Sequence, residues 1–132
     1  MRFVDANIFI YHLASDPKYG KVAKEILMRI QNGGEASLTS ALVISQVSSY
    51  LKWKGKASSV PMFIEFLRSL PNLTKAETNF ADYLELTVSK EIREHNWDDL
   101  VIASQMRRYG INEIYSNDSD FDSIQGIKRV FE

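Results

Sequence analysis

Apolar and polar positions along the chain switch repeatedly between a short unbroken apolar run and a helical spacing, and the switches predict the elements. "RFVDA" reads as a short strand, and "NIFIYHL" behind it has the spacing of an amphipathic helix. Asp16-Pro17 then predicts an N-cap with proline at the first position of a second helix, which Gly33-Gly34 closes. "EASLT" predicts a strand, after which Ser40 caps "ALVISQVSSYLKWK". A further helix falls on "VPMFIEFLRSL" and a short strand on "PNLTKAE". Helices follow over 78–94 and 97–109, the second closed by Gly110. "INEIYSND" predicts a strand running into a loop, and "IKRVF" a last short strand.

Short apolar strands separated by helices imply parallel pairing, because parallel neighbours need a crossover of about a dozen residues or more. The expected fold class is therefore α/β, a three-layer α/β/α sandwich with a central parallel sheet. The 132 residues suit a single domain over 1–132, with no internal repeat, low-complexity tract or linker. In open parallel sheets ligands sit in the crevice beyond the carboxyl ends of the strands.

Several polar residues interrupt the apolar pattern at such ends. Asp5 follows Phe3 and Val4 at the end of the first strand, and Asp118 follows the strand-like "EIYS". On "WDDLVIASQMRRYG", Asp99 shares its i, i+3, i+4, i+7 stripe with Ile102, Ala103 and Met106 and so borders the buried face. Asp98 points elsewhere and reads as a cap or solvent residue. Gln46 interrupts the stripe of Leu42, Val43, Val47 and Tyr50 in the same way. Each has a plain structural alternative, as a turn acceptor, a helix cap or a satisfied core amide. Together they predict a shared site, since burying several unpaired carboxylates costs several kcal/mol unless cations or hydrogen-bond donors meet them.

Composition narrows the classes. The 45% hydrophobic and 25% charged fractions are those of an ordinary globular protein. A net charge of -1, from 16 Lys+Arg against 17 Asp+Glu, excludes a global basic field, so any nucleic-acid contact is local. Cysteine is absent, which rules out disulfides and thiolate metal sites and suits a reducing cytoplasm. No run approaches the roughly 18 apolar residues of a membrane span, so a cytoplasmic protein without membrane association is expected.

These residues resemble the PIN domain family, including the VapC-type toxins of toxin-antitoxin pairs. "VDANIFI" is similar to its first motif, "TSALVISQVSSYL" to its second, and "WDDLVIASQMRRYGINEIYSNDSDF" to its third and fourth, in the right order over nearly the whole chain. The resemblance implies a PIN-like parallel α/β/α sandwich and Mg²⁺- or Mn²⁺-dependent hydrolysis of RNA. Carried over by position, Asp5, Asp99 and Asp118 are the implied metal-binding acids, Asp120 an auxiliary catalytic acid, and Asn7 and Ser116 organise hydrogen bonds. One position departs: Gln46 stands where the second motif normally carries glutamate. The formal charge of the four motif positions falls from -4 to -3, which weakens the case for a second ion and for activity.

RNA contact is expected from Lys52, Lys54 and Lys56 around Trp53 in "KWKGK", and from Arg107 and Arg108, although a lysine cluster at a helix end is also an ordinary solvated feature. His12 and His95 read as structural. By family analogy "VPMFIEFLRSL" belongs to a homodimer interface, and an antitoxin protein is the implied partner. The competing functions are a catalytically silent PIN-like module that binds RNA or protein, a phosphoacceptor receiver domain, and a haloacid-dehalogenase-like phosphatase. The last two fit poorly, because no aspartate closes a central strand near mid-chain and Asn7 breaks the D-x-D opening.

Overall fold

The computed structural model describes residues 1–132. Five short strands, β1 (Arg2–Val4), β2 (Ser37–Ser40), β3 (Leu73–Ala76), β4 (Glu113–Tyr115) and β5 (Lys128–Val130), pair in parallel in the order β3-β2-β1-β4-β5. Phe3 fixes the centre of the register, opposite Leu38 on one side and Ile114 on the other.

Six α-helices flank the sheet: α1 (Ala6–Leu13), α2 (Gly20–Gln31), α3 (Ala41–Trp53), α4 (Ser59–Arg68), α5 (Phe80–Leu84) and α6 (Trp97–Arg108). Strand order runs outward from β1 to β3 and then jumps back to β4. Right-handed crossovers therefore send α1 to α4 over one face and α5 with α6 over the other. This is the expected three-layer α/β/α sandwich. Phe3, Val4, Ile8, Val43, Phe63 and Ile114 are fully buried in one main core, and no helix is long and apolar enough to cross a membrane.

Three expectations need correction. The helix expected over 78–94 is interrupted: α5 gives way to two 3₁₀ turns, Glu85–Val88 and Lys90–Arg93, with Ser89 extended between them. Thr87 donates its hydroxyl back to the Leu84 carbonyl at 2.8 Å and the Ser89 hydroxyl accepts from Glu91 N at 3.1 Å, so local side-chain bonds replace the helical ladder. Asp16 does not cap α2; its carboxylate closes the turn before it by accepting from Lys18 N and Tyr19 N, and the helix starts at Gly20. Ser40 holds the N-cap position of α3, yet its buried hydroxyl makes no capping bond.

Helix α6 is anchored at both ends. Asp82, 2% exposed, pairs with Arg108 at 2.9 Å and accepts from Gln105 at 3.4 Å, while Gln105 also donates to Thr78 at 2.6 Å. These bonds pin the far half of the helix. Its N-terminal turn is capped by Asn96, whose side chain accepts from Asp98 N at 3.0 Å.

Candidate active site

The strand order reverses between β1 and β4, and at such a switch point the loops leaving neighbouring strands part to opposite faces and leave a crevice. Asp5 leaves β1 there; Ser116, Asn117 and Asp118 leave β4. The N-terminus of α6 brings Asp98 and Asp99, and α3 brings Gln46. The resulting crevice is lined by Asp5, Asn7, Gln46, Asp98, Asp99, Asp118 and Asp120, with Ala6, Ile10, Tyr50 and Asn96 completing its walls. Carboxylates from distant parts of the chain thus share one cavity.

Asp5 is buried and serves two ends at once. As the N-cap of α1 it accepts from Ala6 N at 2.8 Å, and its other oxygen accepts from the Ser116 hydroxyl at 2.7 Å and Asn7 Nδ2 at 3.4 Å. The turn-acceptor reading of Asp5 and its place in the crevice are thus both realised. Ser116 in turn accepts from Asn7 Nδ2 at 3.1 Å and from Asp118 N at 3.0 Å, and Asn7 Oδ1 accepts from Asn117 N at 3.2 Å. Asp118 Oδ1 accepts from Asp120 N at 2.9 Å, shaping the turn that carries both acids.

Carboxylate oxygens of Asp99, Asp118 and Asp120 lie within 4.8 Å of one another, with Asp99 buried, Asp118 half-buried and Asp120 exposed. The protonation energetics follow from this crowding. Burial, reinforced by the charges of Asp118, Asp5, Asp120 and Asp98, pushes the Asp99 carboxyl up to about 7. Burial likewise raises Asp5 to about 6, against the lowering effect of the Ser116 and Ala6 hydrogen bonds. The side chains that donate hydrogen bonds to these acids, Ser116, Asn7 and Gln46, are all neutral, and Arg129, whose charge reaches Asp118, is already paired with Asp122. An all-oxygen donor set with excess negative charge fits a hard divalent cation, and Asp99, Asp118 and Asp120 are close enough for one ion to be shared, with Asp5 adjoining.

The structure corrects the reading of Asp98. It neither caps α6, which Asn96 does, nor faces bulk solvent; its Oδ2 accepts from Gln46 Nε2 at 3.0 Å inside the crevice. The Gln46 carbonyl oxygen is buried without a partner. Tyr50 and Ile10 are lining residues that the acid pattern does not point to, although Tyr50 sits one turn after Gln46 on the same stripe. Lys54 and Lys56 lie on the neighbouring groove, and Lys52 is exposed at the end of α3. Arg107 is not brought to the crevice: it pairs with Glu85 near the opposite end of α6, and Arg108 is held by Asp82. His12 packs against Phe66 with ring centroids 5.7 Å apart, consistent with a structural role.

Fold and site together define a class, that of parallel α/β/α domains that gather acidic side chains from all along the chain at the switch point of the sheet. The family model described as the PIN domain matches residues 2–127, and the chain belongs to that family. Among solved structures it is similar to Mycobacterium tuberculosis VapC20, a sarcin-ricin-loop-cleaving toxin, with 18% identity, a TM-score of 0.80 and full coverage of both chains. It is similar to VapBC2 from Rickettsia felis, crystallised with a DNA fragment from its promoter, at 16% identity and TM-score 0.72 over 98% of this chain and 96% of that one. A toxin-antitoxin complex from Klebsiella pneumoniae gives 18% identity and TM-score 0.65 over 97% and 96%. No curated protein matches the sequence significantly.

Proposed function

We propose that the protein is a Mg²⁺- or Mn²⁺-dependent endoribonuclease, the toxin of a toxin-antitoxin pair acting in the cytoplasm. The observation that carries the reading is the convergence of Asp5, Asp99, Asp118 and Asp120 on one cavity at the sheet's switch point. Asp99 and Asp118, with Asp5 adjoining, would hold the ion, which when bound supplies neutralisation of the phosphate charge and a more acidic attacking water. Asp120, exposed at the rim, takes the proton of the attacking water on its carboxylate. Asn7 and Ser116 fix the orientations of Asp5 and Asp118 through their hydrogen bonds. Lys52, Lys54 and Lys56 attract the RNA backbone. The similarity to VapBC2 and to the Klebsiella pneumoniae toxin-antitoxin complex supports an antitoxin as the protein partner. A homodimer through α4, where Ile64 is 41% exposed, completes the proposed assembly, and sedimentation of Ile64→Glu tests it.

The deciding experiment is cleavage of mixed RNAs with Mg²⁺ or Mn²⁺, with metal affinity measured by calorimetry. Asp5→Asn and Asp118→Asn are expected to lower the rate by about 10²-fold or more and to weaken metal binding. Cleavage that survives Asp5→Asn at the native rate would remove the mechanism. A second reading, a binding module without cleavage, draws on Gln46, which is neutral and has its amide committed to Asp98. It expects RNA binding with no product under either ion.

A further inference from the structure

Gln46 makes one hydrogen bond, from Nε2 to Asp98 Oδ2 at 3.0 Å, while its carbonyl oxygen is buried with no donor. A buried acceptor left without a partner costs stability, and a leucine or methionine at this position would continue the stripe of Leu42, Val43 and Val47 without that cost. What explains the amide is the carboxylate it holds.

Asp98 raises the same question from the other side of the bond. A neutral acceptor would serve Gln46 equally well, yet a carboxylate stands there, in a crevice that Asp5, Asp99, Asp118 and Asp120 already make acidic and that no lysine or arginine lines. Its charge adds to burial and to the other acids in raising the Asp99 carboxyl. The side chain is also fixed from below, because Asn96 accepts from Asp98 N at 3.0 Å. Asp98 Oδ1 receives no hydrogen bond from the protein. Like charges held together in this way repel, so the arrangement becomes favourable only when positive charge enters.

Distance decides how Asp98 meets that charge. Carboxylate oxygens of Asp99, Asp118 and Asp120 come within 4.8 Å of one another and Asp98 does not join them, so it is not a direct ligand of an ion those three share. A hard divalent ion of the Mg²⁺ kind keeps several of its waters, however, and each is a hydrogen-bond donor. We propose that Asp98, oriented by Gln46, is a cation-binding residue of this chain that accepts hydrogen bonds from the waters of the ion held by Asp99 and Asp118. The charge that position 46 does not bring is thereby supplied across the contact between α3 and α6. The proposal rests on the metal-dependent reading and deepens it by a residue outside the four motif positions.

The test is Mn²⁺ titration of the full chain by calorimetry, with urea unfolding of the metal-free protein alongside. Asp98→Asn keeps an acceptor for Gln46 and removes only the charge. It is expected to weaken Mn²⁺ binding about 10-fold, the lower end of what a residue behind the direct ligands is worth, and Asp118→Asn by more. Metal-free stability in Asp98→Asn is expected to hold or rise, since a repulsion is relieved. Combining Gln46→Glu with Asp98→Asn moves the charge to the other end of the same hydrogen bond and is expected to recover the Mn²⁺ affinity. Glu94→Gln, at an exposed acid outside the crevice, controls for overall charge and leaves affinity at its native level. Native Mn²⁺ affinity in Asp98→Asn, a fall in its metal-free stability, an equal loss in Glu94→Gln, or no recovery in the exchanged pair overturns the assignment. No Mn²⁺ binding by the native protein overturns it together with the metal-dependent reading. Binding that depends on Asp98 without RNA cleavage defeats the ribonuclease reading alone.

Discussion

At position 46 an amide stands where the resemblance to the family's second motif implies a carboxylate, and that amide donates to Asp98 at 3.0 Å. Restoring the glutamate is therefore not a simple repair. Gln46→Glu sets two carboxylates face to face and removes the donor, so its melting temperature at pH 7.5 should fall by a few degrees. Adding Asp98→Asn turns the hydrogen bond around and should recover it, giving a coupling of roughly 0.5–3 kcal/mol in a double-mutant cycle. Additive losses in the cycle would mean that the pair does not interact. Asp99 offers a second test. Its carboxyl is raised to about 7 and that of Asp5 to about 6, so both bind protons more tightly folded than unfolded. Their contribution is fully present below the ordinary carboxylate range near pH 4 and is lost as pH rises to about 7. Asp99→Asn should accordingly raise the melting temperature of the metal-free protein at pH 8 and leave it unchanged at pH 4, as read by scanning calorimetry.

Among the elements, α6 has the largest consequence for the site, because its first turn delivers Asp98 and Asp99 together. Asn96 caps that turn through Asp98 N, and Asn96→Ala should cost about 0.5–2 kcal/mol in urea unfolding. The same variant should weaken Mn²⁺ binding, which a cap with no bearing on the crevice would not do. The helix is legible in the sequence because Asp99, Ile102, Ala103 and Met106 keep one stripe and Gly110, at φ +66°, ends it. The strands are legible from short apolar runs between helices. The region after Asn79 is not, since "FADYLELTVSKEIREH" keeps helical spacing while the hydroxyls of Thr87 and Ser89 compete for the backbone. Periodicity within one segment also cannot report a partner on another. For that reason the pattern sets Asp98 at the surface, whereas the fold puts Gln46 across from it, and it leaves Arg107 available, whereas the fold puts Glu85 beside it.

For the molecule as a whole, a cavity crowded with carboxylates means that folding and cation binding are linked. Mn²⁺ at about a hundred times its dissociation constant should add about 2.7 kcal/mol of stability if it binds the native state alone. The gain in melting temperature should be larger at pH 8 than at pH 5, where protons already neutralise Asp99 and Asp5. Equal gains at both pH values would place the ion elsewhere. The hydroxyl of Ser116 gives its single proton to Asp5 and uses both lone pairs on Asn7 and Asp118, so one oxygen atom ties the first acid of the cluster to a point 111 positions later. During synthesis the two halves of the centre cannot meet until the ribosome has made everything between them. Products that terminate early carry Asp5 with nothing to complete the cluster.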